Sequence, residues 1–126
     1  MSIEKLDINR EPTYWHANAV IAGDTIYTSY QAGVVDDEDK LIETVEGQTE
    51  QCIKNLTRTL AQAGATLDDV VKITLLVRSH EEFREAMTAY GRYFADICPA
   101  RTTIITQFLG EAIMVQLDAV AYKPRE

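Results

Sequence analysis

Two charged residues lie inside apolar segments near the end of the chain, and their types suit the recognition of a small acid. Arg101 follows Pro99-Ala100 and enters residues 102–109, which we expect to form a buried strand. Asp118 lies within a second predicted strand, residues 112–122. Ionised groups among buried strands need a partner or a function. Because arginine grips a carboxylate with parallel N–H donors, the pair forms either a structural salt bridge or part of a site for a carboxylate ligand.

The other reactive side chains show no spacing that defines a metal or nucleophile site. Cys52 falls on the apolar stripe of a predicted helix, and Cys98 precedes a proline in a turn, so we expect no disulfide. His16 and His80 are far apart and lack metal-ligand spacing. His80 belongs to a Ser-His-Glu-Glu segment that is typical of a helix N-terminus.

Length and charge restrict the class of protein. A chain of 126 residues is expected to form one domain, residues 1–126, which is small for a self-contained deep active site. Its net charge of −8 argues against a nucleic-acid partner. No apolar run has membrane-spanning length and the first ten residues lack a hydrophobic signal core, so we expect a soluble, cytoplasmic protein with no membrane partner.

Hydrophobic periodicity predicts two helices between strands. A Gly-Asp turn joins the halves of a hairpin over residues 17–29. Residues 44–63 have helical spacing and end before Gly64, and residues 81–96 form a second amphipathic helix. Residues 70–77 form a strand whose inward face is expected to carry Val71, Ile73, Leu75 and Val77.

This order of elements predicts an α+β fold, with one sheet and both helices on one face. Residues 1–15 are expected to form an edge strand or an arm. Leu76 and Met114 are apolar residues on the opposite face of their strands. That face also needs cover, and a partner subunit is the expected cover.

Several segments together resemble the RidA/YjgF (L-PSP) family, and the resemblance covers nearly the whole chain. The most specific element is Pro-Ala-Arg-Thr, which occurs together with a Leu-Asp-Asp-Val-Val-Lys block. The matching segments are Thr28-Ser29-x-Gln31, residues 48–65, residues 67–74, Tyr90-x-x-Tyr93-Phe94, Pro99-Ala100-Arg101-Thr102 and residues 115–121, where x is a position that the resemblance leaves open.

The resemblance implies a chorismate-mutase-like α+β domain, with a mixed β-sheet and two helices packed on one face. It implies a homotrimer with ligand sites in the clefts between subunits, and no metal or organic cofactor. It also implies hydrolysis of small enamine or imine carboxylic acids, such as 2-aminoacrylate, to a 2-keto acid and ammonia. Arg101 would then clamp the substrate carboxylate, Asp118 would hold the attacking water, and Ser29 and Thr103 would line the pocket.

Four positions depart from the family pattern. Asp118 stands where deaminating members carry glutamate, so the carboxylate is one methylene shorter. Tyr30 replaces a glycine, His16 replaces a tyrosine, and Met87 replaces an asparagine on the second helix. We expect Tyr30, His16 and Met87 to line the ligand pocket, and Tyr30 and His16 to set ligand choice. The alternative is that Tyr30 packs on the subunit interface and His16 points to solvent.

The departures leave two functions open. One is a cofactor-free hydrolytic deaminase; the other is a non-catalytic ligand-binding or regulatory trimer that keeps Arg101 as an anion anchor. The endoribonuclease activity associated with some relatives is disfavoured by the acidic charge and by the lack of a basic aromatic surface in the sequence.

Overall fold

A mixed sheet of seven strands carries two α-helices on one face. The computed structural model describes residues 2–125. In chain order the elements are β1 (Ile3–Leu6), β2 (Ala19–Ala22), β3 (Thr25–Thr28), β4 (Gln31–Ala32), α1 (Val45–Gln62), a short 3₁₀ turn (Leu67–Asp69), β5 (Val70–Val77), α2 (His80–Phe94), β6 (Ala100–Ile105) and β7 (Val115–Tyr122). The predicted α+β class is confirmed.

The strand order is β1-β2-β3-β7-β5-β6, and the short β4 also pairs with β7. Strands β5 and β6 are parallel, whereas the other pairs are antiparallel. The crossover between β5 and β6 is α2, as a parallel connection requires. Strand β6 therefore lies at one edge of the sheet and β1 at the other, which confirms the predicted edge position of the first residues.

Local sequence signals begin and end the helices as expected. The hydroxyl of Thr44 accepts a hydrogen bond from the backbone N–H of Gly47, and the hydroxyl of Ser79 accepts one from Glu82. After α1, Gly64 adopts a φ of +77°, a conformation that glycine tolerates. The predicted boundaries are therefore correct to within two residues at both helices.

The core lies between the helices and one face of the central strands. Ile73, Leu75 and Leu117 are fully buried beneath Ile53 and Leu56 of α1. Among the described residues, no buried side-chain nitrogen or oxygen is left without a hydrogen-bond partner. The sheet face that carries these residues is called the helix face below, and the other face is called the open face.

Three expectations about individual strands are wrong. Residues 100–105 are all exposed, because β6 is an edge strand with one neighbour in this chain. Val71 points outward and is 50% exposed, because a β-bulge between Val70 and Lys72 interrupts the alternation of side chains. The last strand begins at Val115 rather than at residue 112.

The open face carries apolar side chains that no residue of the described range 2–125 covers. Ile3, Tyr27, Ile104 and Tyr122 remain exposed there. Within residues 2–125, neither helix combines the length and apolar character that crossing a membrane requires.

Candidate functional site

The strand register places the two charged candidates on opposite faces of the sheet. Arg101 is paired with Ile73, whose side chain points to the helix face. Asp118 is paired with Thr74, one residue later, and therefore points to the open face. The Arg101–Asp118 salt bridge, one of the two alternatives that the sequence leaves open, does not form within the chain, and no ion pair of the described residues includes either residue.

Arg101 is held over the aromatic residues of α2. Its guanidinium carbon lies 5.4 Å from the ring centre of Phe83 and 5.1 Å from that of Tyr90. Its Nε donates to the hydroxyl of Thr103 at 3.0 Å, and its Nη1 donates to the sulfur of Met87 at 3.4 Å. These contacts hold the guanidinium in place, and neither of the two hydrogen bonds uses its Nη2.

The guanidinium borders an open groove of about 420 Å³, called the Arg101 groove, whose lining includes Met87, Tyr90, Phe94, Cys98 and Arg101. Burial raises the pKa of Tyr90, and a hydrogen bond with Arg101 together with its positive charge opposes this effect. The groove thus combines one unpaired cation with apolar and aromatic walls, a combination that suits a small organic anion.

Asp118 occupies a half-buried position among polar residues of the open face. Burial raises the pKa of its carboxyl, while a hydrogen bond with Thr74 and the charge of Lys72 act in the opposite direction. Lys72 in turn donates to the hydroxyl of Thr102 at 2.6 Å. A carboxylate whose pKa is raised is a better proton acceptor than an ordinary surface aspartate.

An extra residue beside Asp118 determines where Tyr30 lies. Tyr27 pairs with Val120 and Gln31 with Leu117, so four steps along β3–β4 oppose three along β7. Such a bulge removes residues from the regular ladder and redirects a side chain. Tyr30, 48% exposed, borders a groove on the open face, called the Tyr30 groove.

His16 and Tyr30 line this same groove. Its volume is about 650 Å³, and its lining includes His16, Tyr30, Leu76, Phe108, Ile113 and Gln116. Gln116 is two residues from Asp118 on the same face of β7. The side chain of Ser29 does not enter it, because its hydroxyl donates to the carbonyl of Ala17 at 2.6 Å.

A closed ring of hydrogen bonds holds the segments that carry His16 and Tyr30. Asn18 donates to the hydroxyl of Thr59 at 2.8 Å, Gln31 donates to Asn18 at 3.2 Å, and Thr59 donates to Gln31 at 3.4 Å. Thr59 belongs to α1, whereas the other two residues adjoin the groove walls. The helix thereby fixes the bulge and the residue 16–18 segment relative to each other.

The structure thus divides the predicted site residues into two groups. Arg101, Thr103 and Met87 meet on the helix-face side of β6, whereas His16, Tyr30 and Asp118 lie on or beside the open face. Ser29 acts within the chain as a hydrogen-bond donor to the neighbouring strand.

The sequence reasoning missed several residues of both groups. Phe83 and Tyr90 support Arg101, a role that their place in the amphipathic pattern of residues 81–96 does not reveal. Lys72 and Thr74 surround Asp118. The available signal was their position, because polar residues that alternate with Ile73 and Leu75 must share the other face of the strand.

A mixed sheet with helices on one face and an unpaired arginine at its free edge defines an α+β protein with an exposed anion-accepting group. The chain belongs to the L-PSP (YjgF/RidA) family. The family model described as "Endoribonuclease L-PSP" matches residues 8–123.

Relatives and solved structures agree with this assignment. A RutC family protein of Pyrococcus horikoshii is 30% identical over 112 residues, which cover 86% of each chain. The human 2-iminobutanoate/2-iminopropanoate deaminase is 30% identical over 107 residues, covering 84% of this chain and 78% of that one. A YjgF family structure from Streptococcus pyogenes superposes with a TM-score of 0.82 at 30% identity, covering 99% of each chain.

Proposed function

We propose that this protein is a cofactor-free hydrolase that deaminates small enamine or imine carboxylic acids to a 2-keto acid and ammonia. The observation that carries the proposal is the guanidinium of Arg101, fixed by Thr103 and Met87 but paired with no carboxylate of the described chain. A planar fork in this state matches a substrate carboxylate, which would orient the neighbouring C=N carbon.

The chemistry needs only a positioned water and a proton acceptor. The substrate reacts as the protonated imine, which an enamine reaches by taking a proton from solvent at its terminal carbon. The water oxygen adds to the C=N carbon while Asp118 takes one proton of the water, which gives a neutral carbinolamine. Asp118 returns this proton to nitrogen, and it then takes the hydroxyl proton of the carbinolamine as the C–N bond breaks, so that a carbonyl group and ammonia are formed. Ammonia takes that proton from Asp118 and leaves as ammonium. The raised pKa of Asp118 supports its use in both directions of proton transfer.

The site is proposed to form between two copies of the chain. Arg101 and Asp118 lie on opposite faces of the sheet, so a single chain cannot present both to one small substrate. The free β6 edge of one copy placed against the open face of another would bring them together, and it would cover exposed residues such as Ile104. The proposed assembly is a closed homotrimer with three such clefts, which is also the assembly that the family resemblance implies.

In this cleft, Tyr30 and His16 would form the wall that faces the Arg101 groove. Both line the Tyr30 groove, next to the part of the open face that holds Asp118. A tyrosine in this position restricts the space and offers a flat face to the ligand. We propose that the substrate is an imino acid whose side chain packs against Tyr30.

The second candidate function is non-catalytic binding of a small carboxylate by the same trimer. One observation favours it: the carboxylate of Asp118 is one methylene shorter than glutamate, and a misplaced water-holding group can reduce the rate about a hundredfold. Arg101 would remain an anion anchor in such a protein.

Ammonia release from freshly generated 2-aminoacrylate tests the proposal. We expect the wild type to accelerate release over spontaneous hydrolysis and Arg101→Ala to abolish the acceleration. Protection against heat by the product-like acid pyruvate provides a separate readout of binding. Protection without acceleration would establish the binding function, and the absence of both would refute both candidates.

A further inference from the structure

A third groove lies beside the first hairpin; it shares His16 with the Tyr30 groove, and Arg101 of the same chain does not line it. It has a volume of about 300 Å³, and its lining includes Lys5, Arg10, Trp15, His16, Ala17 and Val20. We call it the Trp15 groove. Val20 pairs with Lys5 across β1 and β2, so both side chains point to the open face at the far end of the sheet from β6.

The charged residues that line this groove are positive, whereas the net charge of the molecule is negative. The chain carries a net charge of −8, yet the two permanently charged residues that line the groove are both cations. Neither Lys5 nor Arg10 belongs to an ion pair formed among residues 2–125. Two unpaired cations at one small concavity favour the binding of an anion.

The tryptophan beside these cations is presented to solvent by an unusual backbone. Asn9 and His16 exchange two backbone hydrogen bonds, of 2.8 and 3.2 Å, and so close a loop of residues 10–15. Arg10 is the first residue of this loop and Trp15 is the last, so the two lie next to the closing pair. Trp15 has a φ of +43° and Thr13 a φ of +76°, values that side chains with a Cβ rarely adopt. The indole is nevertheless 72% exposed, so the conformation is not compensated by burial of the ring.

These features together define the chemistry of an occupant. The exposed indole of Trp15 and the apolar lining residues Ala17 and Val20 suit the planar ring of an aromatic ligand. Lys5 and Arg10 suit an anionic group attached to that ring. We propose that the Trp15 groove binds a small aromatic carboxylate, with the ring against Trp15 and the carboxylate between Lys5 and Arg10. This site does not depend on the proposed deaminase activity.

Trp15 is the only tryptophan of the chain, so its fluorescence reports directly on the groove. The probe is phenylacetate, which does not absorb where indole is excited; phenylacetamide is its neutral counterpart and acetate lacks the ring. We expect a saturable blue shift of the emission with phenylacetate, because the ring removes water from the indole. Phenylacetamide and acetate are expected to bind about tenfold more weakly, since each loses one of the two interactions.

Variants locate the binding. Arg10→Gln is expected to weaken phenylacetate binding about tenfold, whereas Lys40→Gln, which removes the same charge from a distant loop, is expected to leave it unchanged. Arg101→Gln is also expected to have no effect. Equal binding of phenylacetamide, equal losses in Arg10→Gln and Lys40→Gln, or loss of binding in Arg101→Gln would each overturn the proposal. The last result would assign the ligand to the Arg101 groove, and a failed deaminase assay would leave this result untouched.

Discussion

Arg101 and Asp118 are separated by a single strand, β5, yet they project from opposite faces of the sheet. Arg101 lies beside Ile73 on the helix face, and Asp118 lies beside Thr74 on the open face. One sheet separates the two groups, so their cooperation on one small molecule requires two chains.

This relationship predicts complementation between two impaired variants. Arg101→Ala is expected to be inactive alone, and Asp118→Asn is expected to keep about a hundredth of the wild-type activity. After unfolding and refolding as an equal mixture, about a quarter of the wild-type activity is expected, because about one cleft in four receives an intact arginine from one chain and an intact aspartate from the next. The measurement is ammonia release from 2-aminoacrylate, with each variant refolded alone as the control. A mixture no more active than the separately refolded variants would place both residues of each site in one chain.

Replacement of Arg101 by lysine separates charge from geometry. Arg101→Lys keeps the positive charge but loses the two parallel donors, so we expect affinity for pyruvate to fall about tenfold or more. Folding is expected to survive, because Arg101 is exposed and its contacts are with Thr103 and Met87. Calorimetric titration and circular dichroism measure the two quantities. Unchanged affinity would show that the guanidinium does not grip the ligand.

Asp118→Asn is expected to lower turnover and raise stability at neutral pH. Burial raises the pKa of Asp118 in the folded state above that of an ordinary aspartate. The folded protein therefore binds this proton more tightly than the unfolded chain does, and the stabilisation present at acid pH is lost as pH rises through the folded-state pKa. At neutral pH the buried charge is a net cost that asparagine removes.

Two measurements test this prediction. We expect the melting temperature of Asp118→Asn to exceed that of the wild type by a few degrees at neutral pH, and the difference to vanish at pH values below about 4. Turnover is expected to fall about a hundredfold with little change in pyruvate affinity. A melting temperature lowered at neutral pH would instead identify Asp118 as a structural partner of Lys72 or Thr74.

The hydrogen-bond ring of Asn18, Gln31 and Thr59 is expected to stabilise the fold. Thr59→Val conserves shape but removes the hydroxyl, so the half-buried amide of Asn18 loses its acceptor and the free energy of unfolding falls by about 1–3 kcal/mol. Thr57→Val is the matched control, because Thr57 lies on the same helix and its hydroxyl donates only to the carbonyl of Ile53. Urea unfolding compares them. Equal losses would mean that the ring contributes nothing beyond helix packing.

Tyr30→Gly is expected to change substrate range rather than folding. Removal of the phenol enlarges the Tyr30 groove, so bulkier imino acids should become substrates while the free energy of unfolding changes little. Relative kcat/KM values across imino acids of increasing side-chain size provide the measurement. An unchanged profile would indicate that Tyr30 packs only against a neighbouring subunit.

The helices and most strands were predictable because their signals are local. Thr44 and Ser79 mark helix starts, Gly64 marks a helix end, and a Gly-Asp turn fixes the first hairpin. Burial in β6 was not predictable in this way. Apolar residues such as Ile104 and Ile105 show that a strand avoids water, but not whether its cover comes from the same chain.

The site was less predictable than the fold because it depends on register. The sequence identified Arg101 and Asp118, but the face of each follows from pairing with β5, which a single strand does not reveal. The bulge at Val71 had the same effect, since one inserted residue reverses the alternation on which an inward face is predicted.

The bulge at residues 28–30 also has an evolutionary consequence. Tyr30 borders a groove but pairs with no strand residue in the ladder, whereas the adjacent Thr28 and Gln31 are tied to β7 and to the hydrogen-bond ring. Substitutions at position 30 therefore alter the wall of the cleft without disturbing the pairing that supports it. Selection can explore new ligands at this position while the scaffold stays under separate constraint, so diversification of specificity need not pass through unstable intermediates.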